Sequence, residues 1–150
     1  MADTLKEILL DDSRRPTVVT DLETLVDDEV SAKSGVSGTV VKTGYGAVKK
    51  IKPGIIGAAA DSLLDDFTVK LEPFYSEYRA GGGSDFGSYL QGRSDEVADA
   101  LLGVTDARAA ESNRDAIKKV YDKLRPQGKS NVEEALPALG KLIDKHAATA

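Results

Sequence analysis

SGVSGTVVKTGYGAVKKIKPGIIGAAADSLLDDF, residues 34–67, is either a glycine-rich phosphate loop or two helices that meet at a proline. It holds six of the chain's 14 glycines and a run of lysines with no acid among them. Gly44-Tyr45-Gly46 begins the dinucleotide pattern G-x-G-x-x-G, but Lys49 stands where the third glycine belongs. No strand pattern precedes it, and a phosphate cradle needs free backbone donors at the start of a helix. The two-helix reading fits better. On a helical wheel Val36, Val40, Val41, Ala47, Val48 and Ile51 share one side, and Lys42, Lys49 and Lys50 cluster on the other, with Tyr45 and Lys52 at the edge. Gly44 lies on the apolar side. Since glycine inside a helix costs about 1 kcal/mol relative to alanine, its place there predicts a close approach by another helix. Pro53 biases Lys52 away from helical geometry and ends the first helix, which is read as starting near Ser37.

Beyond Pro53-Gly54 the apolar series Ile56, Ala60, Leu63, Phe67, Leu71, Phe74 and Tyr78 is the most sustained helical period in the chain. Pro73 is expected to kink or end that helix after Glu72. Upstream, Asp3 is the expected cap of a short helix carrying Leu5, Ile8 and Leu9. Pro16 suits the first turn of a second helix striped by Val18, Leu22, Leu25, Val26 and Val30, with acids on its other faces, ending near Ser34-Gly35. A short connection makes this acidic helix an antiparallel neighbour of the lysine-faced one.

Downstream, residues 80–94, AGGGSDFGSYLQGRS, read as a packed or partly packed glycine-rich loop within one domain. Ser94-Asp95-Glu96 opens a helix with Val97, Leu101 and Val104 inward. Ser112-Asn113-Arg114-Asp115 and Ser130-Asn131-Val132-Glu133 resemble capping boxes for two more helices. Pro137 is expected to kink the last of these, and Lys141, Lys145 and His146 sit near its negative end. The expected fold is all-α: one helical bundle of about six to seven helices over residues 1–150.

Composition narrows the chemistry. With 150 residues, about two-fifths of them apolar, the chain can bury a real core. The formal charge of -5 argues against a dedicated nucleic-acid binder. The absence of cysteine removes disulfides, thiolate metal sites and thiol nucleophiles, and the lone His146 removes chemistries that need two histidines. No apolar run approaches the roughly 18–20 residues of a membrane span. The acidic N-terminal segment lacks the basic-then-apolar pattern of a secretion signal. A cytoplasmic protein is expected.

Two candidate binding surfaces emerge. Lys42, Lys49, Lys50 and Lys52 form the one basic concentration, read first as answering the acidic helix and second as an anion or partner site of Lys42, Lys49 and Lys50 with Tyr45 supplying a hydrogen bond. Phe74, Tyr78, Phe86 and Tyr89, with Tyr75, bracket the glycine-rich loop and either fill the core or line an apolar pocket. The carboxylate pairs Asp11-Asp12, Asp27-Asp28, Asp65-Asp66 and Glu133-Glu134 are adjacent residues that point about 100° apart on a helix, so they read as solvated faces and no metal site is expected. His146, in the last turns near a fraying end, reads as complementing the helix dipole. No catalytic constellation or cofactor motif is present in the sequence.

The segments LKEILLD, RPTVV, LVDDEVSAKSG, GYGAVKKIKPG, VTDARAAES and YDKLRP resemble a family of small actinobacterial proteins classed as a domain of unknown function. That resemblance runs nearly end to end and implies a cytoplasmic, single-domain, helical protein. It brings no activity, cofactor or catalytic residue. The expected function is a non-enzymatic module acting through a protein partner or a homodimer. The alternative is a binder of an apolar or amphipathic small ligand between helices, and an enzyme using carboxylates or lysine ranks third.

Overall fold

The computed structural model describes residues 4–33, 35–51, 53–83 and 85–149, which form one helical bundle. Asp3, Lys52 and the Val36 side chain lie outside the described residues. The helices are α1 (Leu5–Leu9), α2 (Arg15–Ala32), α3 (Gly35–Ile51), α4 (Ile55–Gly81), α5 (Phe86–Gly92), α6 (Ser94–Glu111), α7 (Asp115–Leu124) and α8 (Gly128–Ala148). A 3-10 turn, Arg125–Gln127, joins the last two.

The core lies between α4 and α8, with α1, α5 and α6 closing it and α2 packed along both. Leu5, Ile8, Val18, Phe86, Leu90, Val97, Leu136 and Ile143 are fully buried. Each such side chain contributes about 1.5–3 kcal/mol relative to exposure. α3 and α7 form an outer pair. Among the described residues, Val41 is the buried apolar side chain that α3 supplies, and α7 supplies none.

Several local signals act as the sequence predicts. Pro16 occupies the first turn of α2, and Gly54, with φ of 75°, turns the chain between α3 and α4. A Cβ on Gly44 would lie 3.0 Å from Leu124 Cδ2, so this glycine seats α7 against α3. The first helix is capped by Thr4, whose Oγ1 accepts the Glu7 N–H at 3.2 Å. The Glu72 carboxylate also accepts the N–H groups of Leu5 (2.9 Å) and Lys6 (3.2 Å), so α1 is held by α4.

Four expectations are corrected. Pro73 does not end α4, which continues to Gly81 because Leu71 and Tyr75 are buried on either side of an outward-facing proline. The inward face of α4 is rotated from the expected one: Leu64, Thr68, Leu71, Tyr75 and Tyr78 are buried, and Leu63, Phe67 and Phe74 are half-buried. The glycine-rich residues 80–94 are not all loop, since α5 winds within them. Asp85 caps that helix by accepting the Ser88 N–H at 2.7 Å, and Asp144 of α8 accepts the Phe86 N–H at 3.0 Å. Neither expected capping box caps a helix: Ser112 accepts only the Arg114 N–H, and Ser130 lies inside α8.

Of the described glycines, those between α5 and α8 make the closest approach. A Cβ on Gly140 would stand 2.2 Å from both the N and the Cα of Gly87. Backbone meets backbone there.

Candidate functional site

The basic surface on α3 is partly spent on the acidic helix. The Tyr45 hydroxyl donates to the Asp27 carboxylate of α2, and Lys49 Nζ lies 3.6 Å from the same carboxylate and 5.2 Å from the Tyr45 ring centroid. Burial, then the Asp27 hydrogen bond and the nearby Glu23 charge, hold the Tyr45 hydroxyl well above the ordinary phenol range. Lys42 and Lys50 are exposed, and among the described residues they form no ion pair. Two of the four residues therefore face α2, and two face solvent.

The aromatic group is a packed cluster. The Tyr78 and Phe86 ring centroids are 5.1 Å apart, Tyr75 meets Phe86 edge-on at 5.1 Å, and Tyr89 lies 6.1 Å from Phe86 in a stacked arrangement. Phe74 turns away from these rings toward the Arg93 guanidinium, 5.4 Å from its centroid. Arg93 in turn binds Glu77 and Glu96 at 2.5 Å and 2.8 Å. Within this cluster Tyr75, Tyr78 and Phe86 are buried. An apolar void of about 100 Å³ lies elsewhere, bounded by Leu9, Val18, Leu64, Phe67, Leu71 and Leu139. The Thr68 hydroxyl at its edge is already spent on the Leu64 carbonyl at 2.7 Å.

His146 lies in the last turn of α8, as expected, but it is packed into the bundle and not at a fraying end. It is 4% exposed, and its Nε2 lies 2.7 Å from Asp21 Oδ2 on α2. Lys145 Nζ donates to the same oxygen at 3.0 Å. The last turns of α8 are held against the bundle: Arg14 donates to the carbonyls of Ile8 and Thr149. Burial works to raise the Asp21 pKa, but hydrogen bonds from Lys145 and His146 outweigh it and hold the carboxyl below the ordinary range. The available signal was the apolar stripe of α8, since His146 falls three residues after buried Ile143.

At the opposite end of the same pair of helices, Lys33 and Glu134 form an ion pair. The two contacts make α2 and α8 antiparallel neighbours strapped at both ends. Between the straps runs an open groove of about 470 Å³, with Leu25 and Leu142 in its floor. Asp28 and Glu29 of α2 line one wall, and Ala138, Lys141 and Lys145 of α8 line the other. Among the described residues, Asp28, Glu29 and Lys141 form no ion pair.

The Asp65-Asp66 pair cross-links helices on the surface. Asp65 binds Arg15 at 3.1 Å, tying α4 to α2, and Asp66 binds Arg108 at 2.9 Å, tying α4 to α6. Among the described residues, no group of three or more His, Asp or Glu side chains converges as metal ligands would. Among those residues, too, no helix is long and apolar enough to cross a membrane.

No curated protein and no solved structure matches this chain. A family model does match, over residues 5–147, and it is described as a family of unknown function, DUF6918. The chain belongs to that family.

Proposed function

We propose that the protein is a non-enzymatic helical module that works through protein contacts, and that the groove between α2 and α8 is its contact surface. The observation that carries this reading is the groove itself: an apolar floor of Leu25 and Leu142 between walls whose charges Asp28, Glu29 and Lys141 form no ion pair among the described residues. Grooves between helices are a recurrent seat for a helical partner. The amphipathic α7, with Ile117, Val120, Tyr121 and Leu124 at best half-buried, supplies more apolar surface of the same kind. The cytoplasmic setting and actinobacterial origin belong to the same proposal and rest on the sequence reading.

The test is a bulky block. Ala138 is exposed on the α8 wall, so Ala138→Trp should fill the groove and leave the melting curve unchanged. Site-specific photo-crosslinking from position 141 in cells should give a discrete protein adduct that this variant loses. No adduct, or one that persists with the groove blocked, would sink the reading.

A second reading, a small apolar ligand, is favoured by the 100 Å³ void. That volume is well below the roughly 300–1,000 Å³ of drug-sized ligand sites. Anything held there is no larger than a few heavy atoms. Xenon-pressurised crystals with no density in the void would remove this alternative.

A further inference from the structure

The groove has a symmetry property that singles out one partner. Its acidic wall is carried by α2 and its basic wall by α8, side by side along one axis. A two-fold axis laid along the groove turns a second copy face-on and exchanges its walls, so each acidic wall meets a basic one. A two-fold axis across the groove would set acid on acid, which is unfavourable. Register along the axis also fits. The Asp21–His146 and Lys33–Glu134 contacts set the levels of the two helices and put Lys141 beside Val26. Asp28 is two residues further on, about 3 Å along the axis, within reach of a lysine side chain from the facing copy.

On that charge complementarity we infer that the groove pairs with the same groove of a second copy of this chain, giving an isologous dimer built as a four-helix layer of α2, α8 and their symmetry mates. This rests on the reading of the groove as a contact surface and names its occupant. The half-buried Leu25 of each copy meets its mate at the centre, over the buried Leu142. The outward faces of the two helices run about 20 Å along the groove and about 20 Å across it. That footprint, roughly 400 Å² per copy, belongs to weak, transient association. The charged rims make it salt-dependent.

Sedimentation equilibrium on the full chain reads this directly. At low ionic strength the wild-type protein should dimerise reversibly, and 0.5 M salt should weaken it several-fold. Asp28→Lys with Glu29→Lys makes the unpaired charges of both walls basic, and Lys141→Glu makes them all acidic. Each variant alone should dimerise at least tenfold more weakly, while an equimolar mixture should associate at least as well as wild type. Circular dichroism checks that both variants fold, and Asp28→Lys alone serves as the milder form if the double variant does not. A wild-type monomer up to about 1 mM, where even weak encounters of this size register, overturns the second copy as occupant. The photo-crosslink then decides separately whether the groove binds another protein. A dimer indifferent to both variants, or a mixture that fails to recover association, overturns the two-fold groove pairing.

Discussion

His146 Nε2 and Asp21 Oδ2 lie 2.7 Å apart, joining residues 125 positions apart in sequence and closing one end of the α2–α8 pair. Asp21 is the shared acceptor, since Lys145 donates to the same oxygen. The lowered Asp21 pKa has a definite consequence for stability. A carboxyl held lower in the folded state than in the unfolded chain stabilises above its unfolded value, and that stability is lost as pH falls through the folded value. Asp21→Asn should therefore destabilise by about 1–3 kcal/mol at pH 7. The gap from wild type should close as urea melts are taken below about pH 4, the ordinary carboxylate value. A gap constant from pH 7 to pH 2 would remove the charge of Asp21 from the account.

Gly140→Ala should be the most damaging small substitution in the chain. The new Cβ would stand 2.2 Å from Gly87 backbone atoms that cannot rotate aside, unlike a side chain. Overpacking of this kind costs about 1–3 kcal/mol or more. Guanidinium melts should show a loss at the upper end, and amides of α5 should exchange faster than those of α6. Wild-type protection in α5 would mean that the two helices can separate without penalty.

Pro73→Ala should stabilise. Pro73 is exposed within α4 and cannot donate to the Val69 carbonyl four residues back. Alanine restores that donor and removes a residue about 3 kcal/mol less favourable in a helix interior. A gain of roughly 1–2 kcal/mol in thermal or urea melts is expected, because the existing backbone has already adapted around the ring. A loss would show that the proline sets the helix path that Tyr75 and Tyr78 need.

Asp144 separates charge from hydrogen bonding. Burial raises its pKa, opposed by the Phe86 N–H that it accepts. A carboxyl raised on folding stabilises most below its unfolded value and loses that contribution as pH rises through the folded value. Asp144→Asn keeps an acceptor and should match or exceed wild-type stability at pH 7, with its advantage shrinking toward pH 3. Asp144→Ala leaves the Phe86 donor without its acceptor and should cost about 1–3 kcal/mol. Equal losses for both variants would mean that the charge itself is needed.

Local chemistry made much of the fold legible. Pro16, the Pro53-Gly54 joint, the acids opening α6 and the packing role of Gly44 all act through neighbours in sequence or through the helical period. The features that escaped are those settled by distant partners. α5 looks like a glycine-rich loop because one of its two caps, Asp144, comes from α8. α4 passes Pro73 because buried side chains on both sides hold it in place. The α4 stripe was misplaced because a wheel cannot tell which of two adjacent apolar residues, Leu63 or Leu64, the rest of the bundle will cover. His146 reads as a terminal helix residue until α1 and α2 are laid against it. The α2–α8 groove had no trace in either helix alone, since each contributes a single charged wall.

The docking of α1 bears on how the chain comes to be folded in a cell. Leu5, Ile8 and Leu9 are buried chiefly against α4 and α8, and the Glu72 carboxylate that completes the start of α1 is made 67 positions after Leu5. The α1 segment must therefore wait, apolar side chains uncovered, until α8, more than a hundred residues later in the chain, has been made. Such long-range closure favours a late, concerted collapse over stepwise assembly from the N-terminus.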